Sequence, residues 1–195
     1  MLVLVNHPLV ITDMLKKFFQ RAIPEQYPDL SGLLEKQHNY QVAQNHIQHD
    51  NAQLIALQHL QTLLDHILAF VDYDRNTVTH KLLSSPPEKC KSLYIFGDVG
   101  RGKSMLMALF YEACPIKQKR RLHFNMFMLE VHAFIHEWRQ KYNTDAISAM
   151  AKKIRASALV LCLDEFHVTD IADAMILERL FSKLFESGII VVITS

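Results

Sequence analysis

Two segments in the second half of the chain, residues 158–163 and 189–193, are apolar at every position. A strand that faces water on one side alternates between polar and apolar residues, whereas a strand with helices on both faces is apolar throughout. The remaining pattern predicts strands at 92–96 and 121–127 and helices at 105–111, 129–142 and 171–186. Strands that alternate with helices predict an α/β fold, a three-layer αβα core around a parallel sheet.

The part of the chain before this core is predicted to be helical. Residues 11–23 carry apolar side chains at helical spacing, and a second helix follows Asp50. Asp50 can cap that helix, and Gln53 lies three residues further on, as in a capping box. The polar stretch 37–49 is expected to be a loop or an irregular linker. The predicted domains are a helical N-terminal region with a connector, 1–91, and the core, 92–195.

A glycine-rich segment at the end of the first core strand fits the phosphate-binding pattern G-x-x-x-x-G-K-[ST]. Its glycines let the backbone curl with N–H groups pointing inward, and the following helix adds its positive dipole end. Lys103 supplies a charge for the β- and γ-phosphates, and Ser104 supplies a hydroxyl for Mg²⁺. A chance glycine-rich turn is the alternative, which the flanking strand and helix disfavour. The predicted nucleotide-binding residues are Gly97, Asp98, Val99, Gly100, Arg101, Gly102, Lys103 and Ser104.

Two adjacent carboxylates follow the buried strand at 158–163. Asp164 can hold Mg²⁺ through its water shell, and Glu165 can polarise a water for attack on the γ-phosphate. An acidic turn after a core strand is the plainer alternative. Ligands of open parallel sheets bind beyond the carboxyl ends of the strands, where this pair and the glycine-rich loop can meet. We therefore predict Lys103 and Glu165 as catalytic residues and Ser104 and Asp164 as metal-binding residues.

Neither of two groups of histidines is expected to bind metal. His132 and His136 lie four residues apart on a predicted helix, but a zinc site there needs a third ligand. His38, His46 and His49 lie in a polar stretch and are expected to be solvated.

The composition points to a protein of a reducing compartment. Cys90, Cys114 and Cys162 are far apart and form no Cys-x-x-Cys pair, which is typical of reduced thiols, and Cys162 is predicted to be buried. The net charge of +1 gives no general reason to expect binding to nucleic acid. The N-terminus lacks the features of a secretory signal, and no run is apolar enough to cross a bilayer. A cytoplasmic location is expected.

Several segments, including the glycine-rich loop, together match the sequence pattern of a known protein family. They are residues 97–107, the pairs His123-Phe124, Phe127-Met128 and Val131-His132, and residues 163–177. From about Ser92 onward the chain resembles the ZapE cell-division ATPases and their mitochondrial AFG-type relatives, a branch of the AAA+ ATPases. The stretch 164–177 is the most specific part of this resemblance.

The resemblance implies an AAA+ P-loop fold, ATP with Mg²⁺, assembly into a homo-oligomeric ring, and a role in bacterial cell division at the tubulin-like division ring. The mitochondrial relatives look like factors in membrane-protein quality control, and peripheral membrane association is a further expectation. Phe127 and Met128 match the region where AAA+ proteins usually place a substrate-gripping loop, and packing in the core is the alternative that the residues themselves offer. Ser104 stands where the family usually has Thr, Ala108 where Asp is usual, Asn125 where His is usual, and His167 where Gln is usual.

The family pattern continues past the equivalent of Ser195 into an Asn-Arg pair, the rest of the core and a helical lid. The resemblance therefore implies a core that is incomplete at its C-terminus, and we expect this chain alone to hydrolyse ATP poorly or not at all. A non-hydrolysing binding module for a division or membrane partner stays open as the second hypothesis.

Overall fold

The computed structural model describes residues 29–45, 47, 50–75 and 90–195 of the 195-residue chain. The helix predicted at 11–23 lies outside the described residues. The helices are α1 (Leu33–Ala43), α2 (Asn51–Arg75), α3 (Lys103–Ala113), α4 (Phe124–Lys141), α5 (Ala146–Ser157) and α6 (Ile171–Glu186). The strands are β1 (Leu93–Ile95), β2 (Lys119–His123), β3 (Val160–Asp164) and β4 (Ile190–Thr194).

The strands form a parallel four-stranded sheet in the order β1-β4-β3-β2. The last strand, β4, therefore lies between β1, which leads into the glycine-rich loop, and β3, which ends at Asp164. All five residues of β3 are buried, as an apolar run with helices on both faces requires.

Alternate residues of the central strands pack against different helices. Val160 and Cys162 of β3 join one apolar cluster with α1, α2 and α3. Leu161 and Leu163 join a second cluster with α4, α5 and α6. Since side chains of a strand point alternately to its two faces, the described residues form three layers, with the sheet in the middle. The predicted α/β class and αβα layering are confirmed.

Helix α1 contradicts the loop or linker predicted at 37–49, because residues 37–43 are helical. The helix buries only Leu34 and His38, so the apolar spacing that normally predicts a helix is almost absent. His38 is fully buried, which corrects the expectation that it is solvated. His46 and His49 lie outside the described residues.

Helix α2 begins where the sequence predicts. Of the two predicted capping residues, Asp50 caps the helix and Gln53 does not. Asp50 Oδ1 accepts a hydrogen bond from the N–H of Ala52 at 2.9 Å. The side chain of Gln53 turns instead towards His38 and the glycine-rich loop. The first turn is thus capped on one side, and Gln53 is committed to a tertiary contact.

Two further differences concern the segment between β2 and β3. Strand β2 ends at His123, and residues 124–127, predicted as strand, form the first turn of α4. Helix α5 lies in a segment to which the sequence analysis assigned no element. Asp145 caps it by accepting from the N–H groups of Ile147 and Ser148. None of the helices in the described part of the chain has the length and hydrophobicity of a membrane span.

Candidate functional site

The glycine-rich loop joins β1 to α3 and requires backbone conformations that other residues rarely adopt. Gly100 has a φ of 83° and Gly102 a φ of 75°. Both values lie in the left-handed region, which glycine enters without a steric penalty. Gly102 is also the residue that precedes the first turn of α3, and no side chain caps this turn. The free N–H groups at the start of α3 can therefore serve an anion.

Lys103, the first residue of α3, folds back over the loop. Its Nζ donates to the carbonyl oxygens of Gly97 and Asp98, both at 2.7 Å. These bonds hold a positive charge within the curve of the loop, beside the start of α3. An anion in the curve would thus meet both a charged side chain and helix N–H groups.

Asp164 lies at the carboxyl end of β3 and is only 3% exposed. Its Oδ1 accepts hydrogen bonds from the hydroxyls of Ser104, at 2.7 Å, and Thr194. Its Oδ2 accepts one from Arg121 Nη2 at 2.9 Å. The carboxylate therefore joins the glycine-rich loop to β2 and β4, and the predicted pair of metal-binding residues, Ser104 and Asp164, is in direct contact.

Burial of Asp164 by itself raises the pKa of its carboxyl. Hydrogen bonds from Thr194, Arg121 and Ser104 stabilise the charged form and outweigh this effect, so the pKa lies below its usual value. Asp164 is thus an anion at neutral pH. A carboxylate and a hydroxyl are hard oxygen donors of the kind that Mg²⁺ prefers, so this pair fits that ion.

Glu165 differs from Asp164 in its exposure to solvent and in the direction of its side chain. Its side chain is 74% exposed, and its φ of 58° turns it out of the strand direction. The N–H of Glu165 donates to Thr194 Oγ1 at 3.3 Å, and Oε2 lies 3.7 Å from His123 Nδ1. A solvent-facing carboxylate next to the buried one suits the activation of a water molecule.

Arg121 and Thr194 are parts of this site that the sequence analysis does not single out. Arg121 also donates to the carbonyl oxygen of Ser104 at 3.2 Å, so it contacts the loop as well as Asp164. Thr194 accepts from the N–H of Phe166 through its main-chain oxygen at 2.7 Å. Two sequence features point to them. Arg121 is a basic residue on the strand next to the one that ends at Asp164, and Thr194 is a hydroxyl residue at the end of an apolar strand.

Glu165 and every residue of the loop except Asp98 line one cavity of about 1000 Å³. Phe166, His167 and Thr194 complete the wall beside Glu165. Of the four departures from the family pattern, Ser104 and His167 border this cavity. Asn125 is exposed at the start of α4, and Ala108 is half-buried in α3. The structure thus brings together the residues that the sequence predicts for nucleotide, metal and water activation.

Phe127 and Met128 are not in a loop. Both lie on α4 and are buried in the cluster that covers one face of the sheet. Phe127 is fully buried, whereas their neighbours Met126 and Leu129 are 55% and 62% exposed. The predicted substrate loop at these residues is therefore wrong, and the alternative of core packing holds, because α4 starts at Phe124 and turns its apolar face inward.

Each of the two histidines on α4 contacts a polar side chain. His132 Nε2 contacts Asp173 Oδ1 at 2.7 Å and joins α4 to α6, while His136 contacts Gln140. No group of three metal-ligating side chains occurs among the described residues. Cys162 is buried as predicted, and burial raises the pKa of its thiol to about 12.

Comparisons with known proteins agree with this geometry. The chain is 46% identical over 121 residues to lactation elevated protein 1 homolog B of Danio rerio, covering 57% of this chain and 24% of that protein. It is 47% identical over 105 residues to the cell division protein ZapE of Escherichia coli K12, covering 54% of this chain and 28% of ZapE. The chain thus spans about a quarter of the length of these relatives. No solved structure gives a significant match.

A sequence model of the AFG1-like ATPase family matches residues 33–195, a range that includes all the helices and strands given above, from α1 to β4. The chain belongs to the AFG1-like ATPase family.

Proposed function

We propose that this chain binds ATP with Mg²⁺ at the glycine-rich loop and forms the nucleotide site of an ATP-hydrolysing protein. The observation that carries the proposal is the 2.7 Å contact between Ser104 Oγ and Asp164 Oδ1. It joins a phosphate-binding loop to a charged carboxylate from another strand. These are the two parts that a Mg-nucleotide site of this class requires.

Each residue has a role that follows from its position. The loop N–H groups and Lys103 bind the phosphates, and Ser104 and Asp164 would hold the metal ion. When bound, Mg²⁺ supplies neutralisation of charge on the β- and γ-phosphates. Arg121 and Thr194 keep Asp164 ionised and oriented. Glu165 accepts a proton from the attacking water, for which its exposure and its place beside Asp164 suit it.

Replacement of Lys103 tests the site. We expect Lys103→Ala to weaken binding of a fluorescent ATP analogue in the presence of Mg²⁺ by about 100-fold or more, because the phosphate charge loses its positively charged partner. Lys152→Ala is the matched control, since Lys152 is exposed on α5. Equal affinity of Lys103→Ala and the parent chain would show that the loop is not the site.

Replacement of Glu165 separates binding from hydrolysis. In a protein that contains this chain and hydrolyses ATP, Glu165→Gln should bind ATP as the parent does and lower kcat at least about 100-fold, because general base catalysis contributes on that order. Single-turnover measurements provide the comparison. A turnover within about threefold of the parent would remove Glu165 from this role.

The cellular proposal rests on the similarity to ZapE, which is named a cell division protein. We propose that a protein containing this chain acts in bacterial cell division, in the cytoplasm, as a ring of identical subunits that associates with the tubulin-like division protein and, peripherally, with the membrane. Co-sedimentation of that protein with the parent and Lys103→Ala chains, with and without ATP, tests this. ATP-dependent association supports a motor, and association independent of both supports a binding module.

A further inference from the structure

Helices α1 and α2 are linked to the glycine-rich loop by the side chain of Gln53. Gln53, in the first turn of α2, donates from Nε2 to the carbonyl oxygen of Arg101 at 3.0 Å. A Cβ atom built on Gly102 would lie only 3.0 Å from the same Nε2. The amide of Gln53 therefore lies directly against the peptide that joins Arg101 to Gly102.

A second contact fixes the orientation of this amide. Gln53 Oε1 lies 2.9 Å from His38 Nε2, on α1. Since Oε1 can only accept, His38 must carry its proton on Nε2. His38 is fully buried, and its Nδ1 has no hydrogen-bond partner among the described residues, so the contact with Gln53 is the hydrogen bond that its ring makes there. With Oε1 held by His38, the NH₂ group of Gln53 faces Arg101.

The side chain of Arg101 is held from the same turn. Arg101 Nη2 lies 3.0 Å from Asp50 Oδ2, while Asp50 Oδ1 caps α2. The start of α2 therefore holds Arg101 by its main-chain carbonyl and by its guanidinium. Gln53 is half-buried and lines a cavity of about 730 Å³ with Asp50 and residues 100–102.

The consequence lies on the other side of the same peptide. In a planar trans peptide the C=O and the next N–H point in opposite directions, and no cis peptide occurs in the described chain. Because Gln53 holds the carbonyl of Arg101, the N–H of Gly102 is directed away from Gln53. Gly102 also lines the larger cavity, which Glu165 borders and Gln53 does not.

From this geometry we infer that Gln53 is a positioning residue for the nucleotide site. It sets the Arg101–Gly102 peptide so that its N–H faces the phosphates, and His38 in turn orients Gln53. The inference rests on the proposed binding of ATP at this loop. Residues of α1 and α2 thus contribute to the site. The inference predicts that the contacts of Gln53 with His38 and Arg101 affect the affinity for the triphosphate group itself.

The variant Gln53→Met tests this, since methionine keeps the length of the side chain and removes the donor. We expect its affinities for ATP and for inorganic tripolyphosphate, each with Mg²⁺, to fall together by about five- to tenfold, the effect of one such hydrogen bond. His38→Leu should lower both in the same direction by a smaller factor. The control is Gln58→Met, an exposed glutamine on the same helix, which should bind as the parent does.

Three results would overturn the inference. The first is affinity of Gln53→Met within twofold of the parent. The second is a loss for ATP without a loss for tripolyphosphate, which would mean that Gln53 contacts the nucleoside. The third is a loss of affinity in Gln53→Met and His38→Leu that is accompanied by a proportionate fall in the unfolding midpoint of each variant without ligand. Such a result would assign Gln53 a structural role.

Failure of the proposed function would be seen separately, as a parent chain that binds neither ligand. In that case, the NMR resonances of the Gly102 and Lys103 backbone amides in the ligand-free chain test whether Gln53 positions this peptide. They should shift in Gln53→Met and stay unchanged in Gln58→Met, and unchanged resonances in both would overturn the inference.

Discussion

Asp164 is the residue on which the site depends, because three elements donate to one buried carboxylate. Hydroxyls from α3 and β4 and a guanidinium from β2 reach it together. A buried charge is tolerated only with such partners, and loss of one leaves a polar group inadequately solvated. The network thus links the stability of the sheet edge to the geometry of the nucleotide site.

Arg121 provides the test at this scale. We expect Arg121→Met to lower the free energy of unfolding by about 1–3 kcal/mol at neutral pH, because Asp164 loses a charge-assisted hydrogen bond. Urea unfolding measures the change. Arg120→Met, on the same strand, removes only an ion pair with the half-exposed Glu130 and should change stability by less than about 1 kcal/mol. Equal losses in both variants would contradict a special role for Arg121.

The residues of the site differ in how far the sequence could predict them. The spacing of Lys103 and Ser104 in the loop is a local pattern, so it can be read without knowing the fold. Arg121 and Thr194 become part of the site only through the pairing of β2, β3 and β4. Gln53 forms contacts 15 and 48 residues away along the chain, which no local pattern reports.

At the scale of elements, α4 shows how a one-turn error in a boundary changes a functional interpretation. A strand to residue 127 would present Phe127 and Met128 at the mouth of the sheet. A helix from Phe124 buries both and exposes Met126 and Leu129 instead. Helix α5, in contrast, could have been predicted, since Ile147, Met150, Ala151 and Ile154 follow helical spacing.

Truncation of Phe127 tests its assignment to the core. Phe127→Ala should lower the free energy of unfolding by about 3–5 kcal/mol, as removal of a buried aromatic ring generally does. Met126→Ala, one position away on the exposed face, should stay within about 0.5 kcal/mol of the parent. Similar small effects of both substitutions in thermal or urea unfolding would contradict burial of Phe127.

Across the whole molecule, the two apolar clusters on opposite faces of the sheet make the α/β arrangement predictable from β3 and β4 alone. The packing of α1 with α2 and α3 on one face of the sheet was not predictable, because α1 buries only one apolar residue and one histidine. The division of the chain at residues 91 and 92 stays a prediction.

The central claim, that the glycine-rich loop of this chain binds Mg-ATP, is tested most directly by thermal unfolding with the nucleotide. A ligand that binds only the folded state at about 100 times its Kd stabilises it by roughly 2.7 kcal/mol, or about 5–10 °C for a chain of this size. We predict such a rise in Tm for the parent chain with ATP and Mg²⁺, and a rise of no more than about 1–2 °C for Lys103→Ala at the same concentration. An unchanged Tm of the parent, or an equal rise in Lys103→Ala, would contradict the account.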